Sequence, residues 1–275
     1  MNKAYNKEDR FHDVIYSNQR PNPPNALYSS FTFASRSLLK MKHFPEQLFD
    51  VVVFPAVVLV MFTYLFGGAI AGSANDYLQF LLSGILVMTV TQITIYSGLD
   101  VNKDINKGIF DRFRTLPIWL PSSLVGLLLV DTIRYTMACV VMVSLGLLLG
   151  FQPDGGFSGV AGAILIILVF SFCLSWVWTT FGLVARSDKS LMMASMMFLY
   201  PLTFVSNAFI DPGTLPSFLR WFVALNPISA LVTAVRGLMH GTATWEQIAV
   251  VMLISLAMML IFVPITMHLY RKKSR

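Results

Sequence analysis

Few residues in this chain carry ionisable chemistry where it would matter. Asp131 and Arg134 lie one helical turn apart inside a long apolar run, so the two can pair on one face of a helix. Ionisable groups inside such runs are functional hypotheses by default. Two readings stand for this pair: a structural or interfacial ion pair near the start of its run, where a charge reaches headgroups, and a contact to a transported compound. A second cluster is LDVNKDINKGIFDRFRTLPIW (Leu99–Trp119), where Asp104, Lys107, Asp111, Arg112 and Arg114 surround Ile105, Ile109, Phe110 and Phe113. The spacing of Ile105, Ile109 and Phe113 gives a short helix one apolar face, and Pro117 stops it. Such a helix is either a solvated amphipathic loop or a knob that a partner can grip by its aromatic anchors. A third group is SLMMASMMFLYPLTFVSNAF (Ser190–Phe209), where Met193, Met196, Met197 and Phe198 precede Pro201. Flexible thioethers suit varied greasy ligands; plain lipid-facing filler is the alternative. His12, His43, His240 and His268 are scattered without ligand spacing, so no metal site is expected. No catalytic residue is proposed.

The elements that position these groups are membrane helices. The composition is 56% hydrophobic and 12% charged, against roughly 25% charged in an ordinary soluble chain. A spanning helix needs about 20 apolar residues, and six stretches qualify: about Val51–Ile70, Tyr77–Leu99, Leu124–Gly150, Val160–Ala185, Ser190–Phe209 and Gln247–Leu269. Continuous apolar runs of this length are helices rather than alternating barrel strands. Cys139 and Cys173 both fall inside apolar runs and suggest neither a disulfide nor a thiolate site. The first 26 residues are polar and proline-broken, so the first span is expected to act as the insertion signal.

Orientation follows from lysine and arginine. With six alternating spans, seventeen lie on one side: seven up to Gln47, four in 100–123, Arg186 and Lys189, and four in the RKKSR tail. Only Arg220 and Arg236 fall opposite, so both termini are expected in the cytoplasm. Residues 1–25 read as a disordered cytoplasmic tail and 271–275 as a basic tail. Residues 26–47 mix Leu27, Phe31, Phe33, Leu38, Leu39 and Phe44 with Arg36, Lys40 and Lys42, as an amphipathic helix on the inner membrane surface or a juxtamembrane linker. The run Trp221–Val235, broken by Pro227, is too short and kinked to span and is expected to form an outer re-entrant hairpin.

NKGIFDRFRTLPI (Asn106–Ile118) resembles the cytoplasmic loop of ABC-2 type transporter permeases, in particular their daunorubicin-resistance branch. FVSNAFIDPGTLPSFLRWFVALNPISALVTAVRGLMHG (Phe204–Gly241) resembles the outer hairpin of the same family, with its SNAF, NP and A-V-R-G-L. The resemblance runs from about Ala26 to Leu269. It implies an all-α membrane protein whose six-helix domain occupies 48–270, with the surface helix, a coupling helix between helices 2 and 3, and the hairpin between helices 5 and 6. It further implies that residues 100–118 seat in a groove of an ATPase subunit, with Lys107, Ile109, Phe110, Asp111, Arg112, Phe113 and Arg114 making the contact. Asn207 and Phe209 join Met193, Met196, Met197 and Phe198 as candidate path residues, because in this family the fifth helix and the hairpin border the dimer seam.

The chain contains no G-x-x-x-x-G-K-[ST] run to cradle phosphates. No cofactor is therefore expected in this chain, and ATP and magnesium would belong to the partner. The expected assembly is two copies of a P-loop ATPase, a second identical or homologous permease and the lipid bilayer, without nucleic acid. The expected activity is export of a lipophilic or amphipathic drug or antibiotic across a bacterial plasma membrane. The alternatives are export of a lipid-linked glycan or envelope precursor, an ATPase-independent secondary transporter or channel, and a membrane sensor or scaffold. A secondary transporter would carry intramembrane charges on several helices and an inverted repeat.

Overall fold

A computed structural model describes residues 30, 32–35, 45–108, 122–209, 213 and 216–273. Among these, every regular element is helical. The helices are α1 (Pro45–Ala71), α2 (Ala74–Ile93), α3 (Ile95–Asn106), α4 (Ser122–Leu148) and α5 (Gly156–Val184). They are followed by α6 (Asp188–Phe204), α7 (Ser217–Leu225), α8 (Pro227–Met239) and α9 (Trp245–Lys273). Residues 32–35 are also helical and lie with Ser30 against α4 at Gly126; the rest of the expected surface helix lies outside the described residues.

α1 and α2 form an antiparallel pair across only Gly72 and Ser73. Ser73 caps α2 by accepting the Asp76 amide at 3.0 Å. α2 is the centre of the molecule: Leu78, Leu81, Leu82, Ile85, Leu86 and Val90 are all buried. α9 is the outermost long helix, with Leu253, Leu256, Leu260 and Ile261 exposed. In water that face would be a defect; in a bilayer the solvent is itself apolar.

α3 continues α2 through a joint at Thr94. Thr91 Oγ1 donates to Val87 O and Met88 O, and Thr94 Oγ1 donates to Thr91 O. Hydroxyls bonding back to the preceding turn locally distort a helix without ending it. Together Ala74–Asn106 make one 33-residue helical span. The apolar stretch expected to end at Leu99 thus stays helical to Asn106, and Asp100, Asn102 and Asp104 belong to the helix rather than to a connecting loop.

Ala74–Asn106, Ser122–Leu148, Gly156–Val184 and Trp245–Lys273 are each long and apolar enough to cross a membrane. α7 and α8 meet at 79° and would count as a fifth crossing only if taken together. The bend is built by Asn226 and Pro227: the Asn226 side chain accepts the Ile228 amide, and its Nδ2 donates to the carbonyls of Leu202 and Val205 at the end of α6. One of the six expected stretches is shorter in the structure: α6 ends at Phe204 rather than Phe209, whereas α1 covers the first expected stretch in full. Beyond α6, Ser206, Asn207, Ala208 and Phe209 are irregular but buried, which is where non-helical backbone is tolerated at membrane depth.

Candidate functional site

Asp131 and Arg134 come together on α4, with Nη1 of Arg134 3.0 Å from Oδ1 of Asp131. Nη1 does not meet hydrogen-bond geometry, so the contact is electrostatic rather than a formed hydrogen bond. Neither residue reaches toward headgroups. Asp131 is 1% and Arg134 4% exposed, sealed between α3, α4 and α5. Nη2 of Arg134 also stands 3.6 Å from Oδ2 of Asp100 on α3, and the guanidinium lies 5.6 Å from the Tyr96 ring centre.

From this ion triad a hydroxyl chain runs inward. Ser97 Oγ donates to Asp131 Oδ2 at 2.6 Å and lies 3.1 Å from Tyr135 Oη, which lies 2.7 Å from Ser175 Oγ. Ser175 Oγ donates in turn to Ser171 O. Every member is buried apart from Asp100, which is part-exposed. Buried charges survive only when paired and hydrogen-bonded, and here three helices supply the partners.

The same helices touch backbone to backbone beside the chain. A methyl group at Gly98 would run into the Trp178 carbonyl oxygen, and one at Gly182 into the Gly98 carbonyl oxygen. Small residues allow this approach between membrane helices. One turn on, Asn102 Nδ2 donates at 2.8 Å to Gly182 O and to Ala185 O, satisfying carbonyls that the end of α5 would otherwise leave bare. The far end of α3 is held by apolar packing of Val101 and Ile105 with Leu124 and Leu127 of α4, Leu183 of α5 and Tyr270 of α9. α3 is therefore clamped along its whole length. It ends at Lys107, whose amide bonds back to Lys103 O.

Of the expected ATPase contacts, only Lys107 is described; Ile109, Phe110, Asp111, Arg112, Phe113 and Arg114 lie outside the described residues. The candidate path residues do not form one wall. Met193, Met197 and Phe198 point outward and are exposed. Asn207 is buried and donates to Thr233 Oγ1 at 2.7 Å. Phe209 is buried against Phe62 and Phe204 and accepts from Tyr77 Oη through its carbonyl. Met196 alone lines the cavity that opens between α1, α2, α3 and α6, which encloses about 220 Å³.

Asp100, Ser97, Tyr135 and Ser175 do not stand out in the sequence. Asp100 reads as part of a connecting segment, and isolated hydroxyls in apolar helices are common enough to pass unnoticed. The signal available was the polar dotting of one face, with Ser97 and Asp100 a helical turn apart and Asp131 and Tyr135 likewise.

The chain matches the family described as ABC-2 type transporter over residues 28–240. It is 47% identical to the daunorubicin resistance ABC transporter permease protein DrrB1 of Streptomyces coeruleorubidus over 261 residues, 95% of this chain and 92% of the relative. It is 25% identical to the putative transport permease ycf38 of Cyanophora paradoxa, covering 78% of this chain and 75% of that one. It is also 22% identical to the probable doxorubicin resistance ABC transporter permease protein DrrC of Mycobacterium tuberculosis, over 53% of this chain and 52% of the relative. A helical bundle with buried charges, closely packed glycines and an apolar exterior is what a multi-pass permease requires, and with these matches the chain belongs to the ABC-2 type transporter family.

Proposed function

We propose that this chain is the membrane subunit of an ATP-driven exporter that moves a lipophilic or amphipathic drug or antibiotic out of the cell. The observation that carries this is the 47% identity, over 95% of the chain, to a permease named for daunorubicin resistance. In this reading six segments cross the membrane with both termini in the cytoplasm, and α7–α8 is a re-entrant hairpin on the outer side. Two P-loop ATPase subunits bind ATP and magnesium, and a second permease completes a dimer whose seam is the route. Residues 100–118 supply the coupling element that each ATPase holds.

The geometry supports a lever. A 33-residue helix rises about 50 Å, longer than the roughly 30 Å hydrocarbon core, so the α3 end with Lys103, Asn106 and Lys107 projects beyond it. Closure of the ATPases pushes on the segment after Lys107, and α3 carries that displacement into the bundle. Because Asp100, Ser97 and Asn102 bind α3 to α4 and α5, these helices move as one body rather than sliding past one another.

Co-purification with a candidate P-loop ATPase tests the docking. Wild type should retain the ATPase, and the Asp111→Ala/Arg112→Ala/Phe113→Ala variant should lose it while eluting as a folded membrane protein. Cells carrying both subunits should accumulate less daunorubicin than cells carrying either one. Lowered accumulation without any ATPase would instead favour a secondary transporter.

A further inference from the structure

The buried hydroxyl chain is one hydrogen short. Its contacts are Asp131 to Ser97 at 2.6 Å, Ser97 to Tyr135 at 3.1 Å, Tyr135 to Ser175 at 2.7 Å, and Ser175 to the Ser171 carbonyl at 2.7 Å. Each of these four contacts needs a hydrogen, and two serines and a tyrosine bring three. With Asp131 ionised, Ser97 gives its hydrogen to the carboxylate and Ser175 gives its own to Ser171 O. Tyr135 then has one hydrogen for two oxygens, and one contact is left as oxygen against oxygen. Among the described residues no other donor reaches the three hydroxyls. Ser97, Tyr135 and Ser175 are all buried, where an unmet hydrogen bond is costly.

The Ser171 carbonyl sets the direction, because it can only accept. Ser175 donates to it, so Tyr135 must donate to Ser175 and Ser97 to Tyr135. The contact between Ser97 and Asp131 then closes only when the carboxyl is the donor. We propose that Asp131 is a proton-binding site: a proton taken up on Oδ2 turns the Ser97 hydroxyl around and completes the chain from α4 through α3 to α5. The two states draw on different partners. Ionised, Asp131 is held by the Arg134 guanidinium at 3.0 Å and by Ser97. Protonated, it leaves that guanidinium to Asp100 and heads an unbroken series in which each bond polarises the next. The charged groups facing Asp131 among the described residues are Arg134 on its own helix and Asp100 on α3. Tyr135 is titratable as well, whereas α5 presents hydroxyls alone and α1 and α2 bring no described ionisable group within reach of the carboxyl. The site needs neither ATPase nor cargo, so it stands or falls apart from the export reading.

Infrared difference spectroscopy of the full chain tests this, in nanodiscs of ether lipids that carry no ester carbonyl. As the pH is lowered, wild type should gain the carbonyl stretch of a buried protonated carboxyl, shifted down in heavy water. Asp131→Asn should lack that band, because its amide supplies the missing hydrogen permanently, whereas Asp100→Asn should keep it. Tyr135→Phe removes an oxygen that demands a hydrogen, so Ser97 can serve an ionised Asp131 without conflict. In that variant the band should need about five- to tenfold more acid to reach half its height, the worth of one neutral hydrogen bond. Should Asp131→Asn fail to accumulate, the Tyr135→Phe shift decides the matter alone. A band untouched by Asp131→Asn overturns the assignment, as does the absence of any band or a Tyr135→Phe chain that protonates where wild type does.

Discussion

Two arginines sit within the helix bundle, and the partners described for them differ. Arg134 is paired with two carboxylates, Asp131 at 3.0 Å and Asp100 at 3.6 Å, and is almost wholly enclosed. Arg236 on α8 is half-buried, and neutral groups are among its partners. Its Nε donates to Phe80 O and Ser83 Oγ, its Nη2 donates to Phe80 O and Asn207 O, and its guanidinium lies 3.7 Å from the Phe80 ring centre. From Ser83 to Ser97 along α2 and α3 the two sites stand on the order of 20 Å apart by helical rise.

The difference teaches what each region is for. Carbonyls, a hydroxyl and a ring hold a cation by many weak contacts that a shift of an ångström degrades gradually, which suits tying a bent helix pair and an irregular segment onto α2. Opposite charges in a low-dielectric bundle are unforgiving, because removal of one leaves the other buried and bare. The triad therefore enforces a single arrangement of α3, α4 and α5, the helices that would carry motion from the segment after Lys107.

The largest break in that contrast is Arg134→Met. It strands Asp131 and should cost about 3–5 kcal/mol, read as a steep fall in thermal unfolding midpoint in nanodiscs or as failure to accumulate. Adding Asp131→Asn should recover much of the loss; if it does not, packing rather than charge is what Arg134 supplies. Next come Gly98→Ala and Gly182→Ala, each of which forces α3 and α5 apart. Each should cost about 1–3 kcal/mol, and the double variant should cost less than the sum, because both methyls relieve themselves by the same displacement. Arg236→Lys should cost less, about 1–2 kcal/mol, since an ammonium cannot serve three acceptors in the planar fork geometry. A loss as large as that of Arg134→Met would show that Arg236 is held as rigidly as the buried triad. Smallest is Tyr135→Phe, which removes one hydroxyl between Ser97 and Ser175 and should cost about 1 kcal/mol. The unfolding midpoint checks both.

Much of the architecture was legible because a bilayer imposes simple rules. A charge-poor run of twenty residues declares a helix whatever it packs against, so α4, α5 and α9 lie close to where the apolar pattern puts them. The break at Pro227 was equally plain, since proline cannot donate, although the Asn226 cap that shapes the bend was not. The end of the second helix was harder. Asp100, Asn102 and Asp104 read as polar connection, yet Arg134, the α5 carbonyls and the packing of Val101 and Ile105 make helix the better choice there. The methionines were half legible. Their spacing marks a soft surface, but only the rotation of α6 turns Met196 inward and leaves Met193 and Met197 exposed.

By itself the sequence determined that this is a helical membrane protein of the ABC-2 kind, because hydrophobic length and family motifs are properties of the chain taken in order. It also determined that Asp131 and Arg134 would meet, since a helical turn brings i and i+3 together regardless of the fold. Only the tertiary structure decided that Asp100, Ser97, Tyr135 and Ser175 complete that pair. Those relations join residues from different helices, and nothing in the spacing along one helix specifies which face of its neighbour it will meet.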